Sequence, residues 1–196
     1  VGEGDRLRFL DERCNRDLLS EIRWTPEEGE RTRDGLTLDN LELGRGDRAA
    51  LQMLRSWRSL RLVRAWNGGR GFVRGSLQSI TTSGAVGLVT MSGARPLDYL
   101  HGGRAVERMW LVAQALGLAL QPMTALPYMF ARVFQGDGLG LDPSTTAALQ
   151  RLRAPYLRLF PGAAQTAEVL LFRISQAEPT PARALRRELA EVLVVA

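Results

Sequence analysis

Three arginines near the C-terminus, Arg183, Arg186 and Arg187, carry the clearest hint of chemistry in this sequence. Guanidinium groups present forked donors that match the oxygens of a phosphate monoester. Thr180 and Pro181 read as the cap and first residue of a helix over 182–194, which places these cations in its first turns. That end of a helix carries a partial positive charge, so each cation there costs a few tenths of a kcal/mol, up to about 1. Two readings follow. Either Glu188 and Glu191 offset the cost on a solvated face, with Arg187 and Glu191 at i,i+4 spacing, or a bound anion does so.

Other reactive residue types are scarce. His101 is the single histidine and Cys14 the single cysteine, so a His cluster, an internal disulfide and a cysteine zinc site are excluded. His101 stands in "DYLHGGR" near Asp98, but the chain has no Gly-x-Ser-x-Gly elbow, and a surface or interface histidine is the simpler reading. Cys14 lies on an apolar stripe and reads as a small core residue. "WNGGRGFVRG", from Trp66 to Gly75, looks like a phosphate-binding glycine loop. Its spacing fits neither the Rossmann nor the P-loop pattern, and it reads better as a turn into a helix over 71–82.

The formal charge of +5 comes entirely from arginine, with no lysine anywhere, which raises an Arg-rich nucleic-acid binder as a reading. The arginines alternate with acids, as in "FLDERCNRDLLSEIRW", which makes a solvated helix face rather than a phosphate-tracking stripe, so nucleic acid ranks last among partners. No apolar window is long enough to span a bilayer and no signal peptide is visible, so the expected location is the cytoplasm, without membrane contact.

These residues need elements to position them. Leu7, Leu10, Cys14, Leu18 and Ile22 recur at helical spacing and predict one helix over 5–23. Residues 24–47 are rich in charge, glycine and turn pairs such as Asp34-Gly35, and read as an irregular lid or arm. Asp47 is placed to cap a helix over 48–58. "AVGLVTM" (85–91), "LALQPM" (118–123) and "AEVLLFRIS" (167–175) read as strands, and helices are expected over 102–117, 125–135 and from Asp142-Pro143 onward, with Pro155 kinking or ending the last of these. The helix over 102–117 stands out. From Met109 to Leu120 its only polar side chain is Gln114, so it demands cover on all sides, either from its own chain or from a sheet and a partner subunit. With 196 residues, 45% of them hydrophobic, the chain supports one α+β domain over 1–196, with helices covering a modest sheet.

The order of these elements resembles the C-terminal portion of the FMN-dependent nitroreductase superfamily. It is most similar to the divergent branch of flavin-sequestering proteins and proteins fused to a ThiF-like adenylating domain. "EIRW" (21–24), "DGLTLDNLEL" (34–43) and "GRAVERMWLVAQALGLALQP" (103–122) carry the likeness, which covers most of the chain. The resemblance implies a homodimer with FMN at the subunit interface, lined by the long apolar helix. It implies that Gln121, Pro122, Met123 and Thr124 lie beside the flavin ring, that Arg186 and Arg187, with Arg183 in a lesser role, hold its phosphate, and that 24–47 forms a lid over it. The implied activity is an oxidoreductase that passes hydride from a nicotinamide donor to a small-molecule electron acceptor, with no side-chain acid or base required. A non-catalytic flavin-storage or degenerate dimerisation module is the alternative. The family's N-terminal arginine-rich motif and its early Ser/Asn/Gln-rich segment are both missing before Arg23. The sequence, which starts on Val, therefore reads either as a piece of a longer protein with a preceding segment or domain, or as a chain that has lost part of its flavin site.

Overall fold

A computed structural model describes residues 1–66, 69–178 and 182–193, the side chain of Phe72 excepted. In chain order the elements are α1 (Gly2–Leu10), α2 (Glu12–Ser20), β1 (Ile22–Arg23), α3 (Pro26–Thr32), β2 (Leu36–Thr37), α4 (Arg45–Met53), α5 (Trp57–Ala65), α6 (Arg70–Thr81), β3 (Ala85–Met91), α7 (Pro96–Ala115), β4 (Ala119–Pro122), α8 (Ala125–Phe134), α9 (Pro143–Leu159), a 3-10 turn (Pro161–Ala164), β5 (Ala167–Ser175) and α10 (Leu189–Val192). The fold is α+β, with helix predominating. Its packing divides the chain into two compact units, one formed by residues 1–11 and 68–179, the other by residues 12–67 and 180–196.

The first unit is built on an antiparallel sheet in the order β3-β5-β4. The apolar runs that predict these strands are long enough to sit half-buried and pair from Ala85↔Ile174 to Met91↔Ala167 on one side of β5, with one shift of register between Val89 and Thr90. β4 pairs with the other side of β5, with Gln121 opposite Arg173 and Pro122 opposite Phe172. Leu126, Met129, Phe130 and Val133 form the buried stripe of α8 at helical spacing, and Leu170 and Leu171 of β5 are buried with them. The core sits where α8 meets β5, α9 and α1.

Helix α7 touches all three strands. It starts six residues earlier than the glycine pair suggests, because Pro96 fits the first helical position and the Asp98 carboxylate accepts from the Arg95 amide at 3.0 Å. The Arg95 guanidinium, and then that bond, hold Asp98 below its ordinary carboxylate pKa. Gly117, at φ +71°, ends the helix: its N–H donates to the Gln114 carbonyl and that of Leu118 to the Ala113 carbonyl, a Schellman arrangement. Gly102 sets the approach to the sheet, since a Cβ there would stand 2.6 Å from a methyl of Val169.

Several expectations are corrected. The helix predicted over 5–23 breaks at Asp11, whose backbone is extended. The buried Asp11 carboxylate accepts from the Asp142 amide at 2.9 Å, and this part-buried bond outweighs the continuity of the apolar stripe. Residues 24–47 are not irregular throughout. Thr25 caps α3 by accepting from the Glu28 amide, and β1 and β2 pair in parallel around it. The helix expected from Asp47 starts at Arg45 and ends at Met53, and a new one opens at Trp57. Pro155 lies inside α9, which runs on to Leu159. Leu149 and Tyr156, both buried, anchor the helix to the core on each side of the missing rung. Thr180 and Pro181 lie outside the described residues.

Candidate functional site

The edge of the sheet holds the residues expected beside a ring. Gln121 and Pro122 are the last two residues of β4, which pairs with β5 on one side only, and both are exposed. Proline suits such an edge because it has no N–H to leave unpaired. The Met123 N–H donates to the Leu171 carbonyl at 2.7 Å, which ties the chain down just beyond the strand. Thr124 then stands at the start of α8, and its carbonyl accepts the Tyr128 N–H. These four residues form one short, anchored rim.

Sequence reasoning missed the cation on this rim. Arg173 faces Gln121 across the β4–β5 pairing, and its Nε donates to the Gln121 Oε1 at 2.5 Å. Its Nη1 donates to the Ser79 carbonyl at 2.8 Å. The signal was present: Arg173 is the one cation inside the apolar run "AEVLLFRIS". No carboxylate pairs with it among the described residues, so this rim carries positive charge.

The predicted phosphate site is rearranged. Residues 182–188 are not helical, and α10 is a single turn. Arg183, Arg186 and Arg187 therefore lack the helix N-terminus that was expected to reinforce them. The cause is local: Leu185 and Leu189 are exposed at 39% and 68%, so the segment buries too little apolar area to stabilise an isolated helix. The Arg186 carbonyl accepts from the Arg33 Nε at 2.7 Å, and the Arg33 guanidinium lies 3.5 Å from Glu188. Arg187 stands 3.9 Å from Glu191, as its spacing predicts. These arginines belong to the second compact unit, whereas Gln121–Thr124 belong to the first.

The apolarity of α7 is mostly left uncovered by its own chain. Gly102 and Ala113 are its buried residues, while Leu111 and Leu116 are 66% and 70% exposed and Val112 is exposed beside them. His101 is exposed on the same helix and Cys14 is buried in α2.

A part-buried polar cluster in the first unit was also illegible. Glu168 of β5 takes an ion pair from Arg153 and a 2.6 Å hydrogen bond from the Tyr156 hydroxyl, both on α9. Arg153 also donates to the Ala163 carbonyl at 3.2 Å and lies over the rings of Phe130, Phe134 and Tyr156. Burial, and then the Glu168 carboxylate, push the Tyr156 phenol well above its ordinary pKa. Every polar group in this cluster is partnered, which marks it as a clamp between α9 and β5.

No family model and no solved structure matches this chain. It is 32% identical over 188 residues to the uncharacterized protein MT1398 of Mycobacterium tuberculosis (strain CDC 1551 / Oshkosh). The match takes in 95% of this chain and 26% of the relative, so the chain spans about a quarter of that protein's length. Among the described residues no helix is long and apolar enough to cross a membrane, and no group of three or more His, Cys, Asp or Glu side chains is placed to hold a metal.

Proposed function

We propose that this chain is an FMN-binding module of nitroreductase type, a cytoplasmic oxidoreductase whose two copies meet along α7. The observation that carries this reading is the pairing, in one unit, of an uncovered apolar helix with an open sheet edge. Leu111, Val112 and Leu116 need a partner surface, and a second copy supplies one of equal apolarity. The ring side fits a flat ligand: Gln121 and Pro122 present an exposed edge, and Met123 and Thr124 hold it in place. Arg173 adds a donor-rich, positive corner that orients a carbonyl-bearing ring. Arg183, Arg186 and Arg187, in the second unit, carry guanidinium forks of the kind that suit a phosphate. When bound, FMN supplies the hydride chemistry between a nicotinamide donor and a small electron-poor acceptor. The protein's part is to bind and orient the ring and to exclude water from its face.

The single-turn α10 favours the second reading, a flavin-storage or degenerate dimerisation module, because a phosphate site without a helix N-terminus binds more weakly. Nucleic acid is disfavoured, since Arg6, Arg16, Arg23, Arg48, Arg95 and Arg153 are held in ion pairs with neighbouring acids.

The test is to incubate the full chain with FMN, remove unbound flavin by gel filtration, and record mass and absorption spectrum together. A yellow dimer that Leu111→Glu turns into a colourless monomer supports the reading. A colourless wild-type monomer overturns it. Reduction of the bound flavin by NADH under anaerobic conditions separates the enzyme from the storage module.

A further inference from the structure

The second unit contains a cavity of about 330 Å³ whose wall includes Asn15, Trp24, Arg55 and Trp57. Its geometry follows from local sequence. Thr25 caps α3, and the Glu28 carboxylate accepts from the Trp24 amide at 2.7 Å, which fixes the chain at Trp24. Ser56 stands at the start of α5, so Trp57 becomes its first residue. Arg55 lies over the Trp24 ring at 4.3 Å, a cation–π contact.

Asn15 is the anomaly. It is 4% exposed, yet its Nδ2 has no hydrogen-bond partner. Buried amide donors are normally partnered, because burial strips them of water without return. A buried donor in a cavity wall that finds no acceptor in its own chain marks a place for an acceptor from outside.

The remaining charges narrow the ligand. Glu12 and Arg16, also in the wall, neutralise one another across 2.9 Å. Arg55 has no carboxylate partner among the described residues, which leaves the cavity with one net positive charge. Two indoles favour a flat ring, and the amide and the guanidinium both favour oxygen acceptors.

We propose that this cavity binds a small planar aromatic carboxylate, with its ring against Trp24 and Trp57, one oxygen accepting from Asn15 Nδ2 and its charge met by Arg55. The site lies wholly in the second unit and is independent of the flavin reading.

The test uses the full chain with benzoate as probe, followed by tryptophan fluorescence and calorimetry. Benzoate gives saturable quenching, with benzamide and cyclohexanecarboxylate each bound about tenfold more weakly, a loss of about 1.4 kcal/mol apiece. Arg55→Gln, at an exposed position, weakens benzoate by a similar factor while leaving the fold intact. Asn15→Leu abolishes saturation and raises the melting temperature of the unliganded protein, because it removes an orphaned donor. Absence of saturable benzoate binding to the wild type overturns the proposal. So does equal binding of benzoate and cyclohexanecarboxylate, or an Asn15→Leu variant that melts lower than the wild type.

Discussion

Glu168, part-buried, and Asn15, buried, are polar side chains turned in from the surface, one in each unit, and they end differently. Glu168 has its charge met by Arg153, its second oxygen met by Tyr156, and aromatic rings around the pair. Asn15 is buried more fully, and its donor is unmatched. A buried polar group whose capacity is filled by its own chain behaves as part of the scaffold. One whose capacity is left open is costly in the unliganded fold and useful only when something fills it. The first unit is thus clamped, and the second is left with an opening.

Breaking the clamp has the largest expected effect. Glu168→Ala leaves a mostly buried guanidinium and a phenol without their acceptor, and it destabilises the protein by about 3 kcal/mol. Urea unfolding monitored by circular dichroism measures this, and a loss below about 0.5 kcal/mol removes the clamp from consideration. The sign is opposite to that expected for Asn15→Leu, so the pair of variants tests the contrast directly.

Next is Gly102→Val, which forces side-chain atoms into the space of Val169 and separates α7 from β5 at a cost of about 2 kcal/mol. The same unfolding curve reads it, and a neutral result shows that α7 is not held closely against the sheet.

Tyr156→Phe removes one hydroxyl and costs about 1.5 kcal/mol, since the bond it loses is to a charged group. It also changes the response to alkali. The folded phenol ionises only well above its ordinary value of 10.0, so the unfolded chain releases this proton first as the pH rises. The corresponding stability is complete below pH 10 and is lost above it. The wild type therefore loses stability more steeply above pH 10 than Tyr156→Phe does, as unfolding at a series of pH values will show.

The smallest effect lies in the second unit. Asp34 accepts from Arg23 at 2.7 Å, and this bond holds its pKa below the ordinary aspartate value of 3.8. A depressed carboxylate contributes stability above its unfolded pKa and loses it as the pH falls through the folded one. The protection of the Leu36 amide, which donates to the Glu21 carbonyl, relative to its intrinsic exchange rate at each pH should therefore fall only below about pH 3.8. Protection that stays constant through this range would show that the Arg23–Asp34 pair does not govern the β1–β2 ladder.

Much of the fold was legible because its strands are self-announcing. β3 and β5 coincide with their apolar runs, and α9 starts where Asp142-Pro143 predicts. Helix ends were harder to place, since Gly44 and Ser56 cap without a side-chain bond that a pattern reveals, and the bond that caps α7 at Arg95 comes from Asp98 within the helix. The resemblance points to Gln121–Thr124, which lie at a sheet edge, whereas Arg173 becomes visible beside them only once strand register sets it opposite Gln121. Asn15 was passed over because, one step from the Cys14 stripe, it reads as an ordinary solvated polar position.

By itself the sequence determined an α+β chain, its main strands, the all-round apolarity of residues 109–120 and the burial of Cys14. These follow from side-chain period and volume, which are properties of short windows. The tertiary structure alone decided that the helix breaks at Asp11, that Arg183–Arg187 lie off any helix, that α7 stays uncovered by its own chain, and that Asn15 is buried without a partner. Each of these depends on which distant groups meet. A single buried contact worth about 1 kcal/mol or more outweighs the few tenths by which local propensities differ.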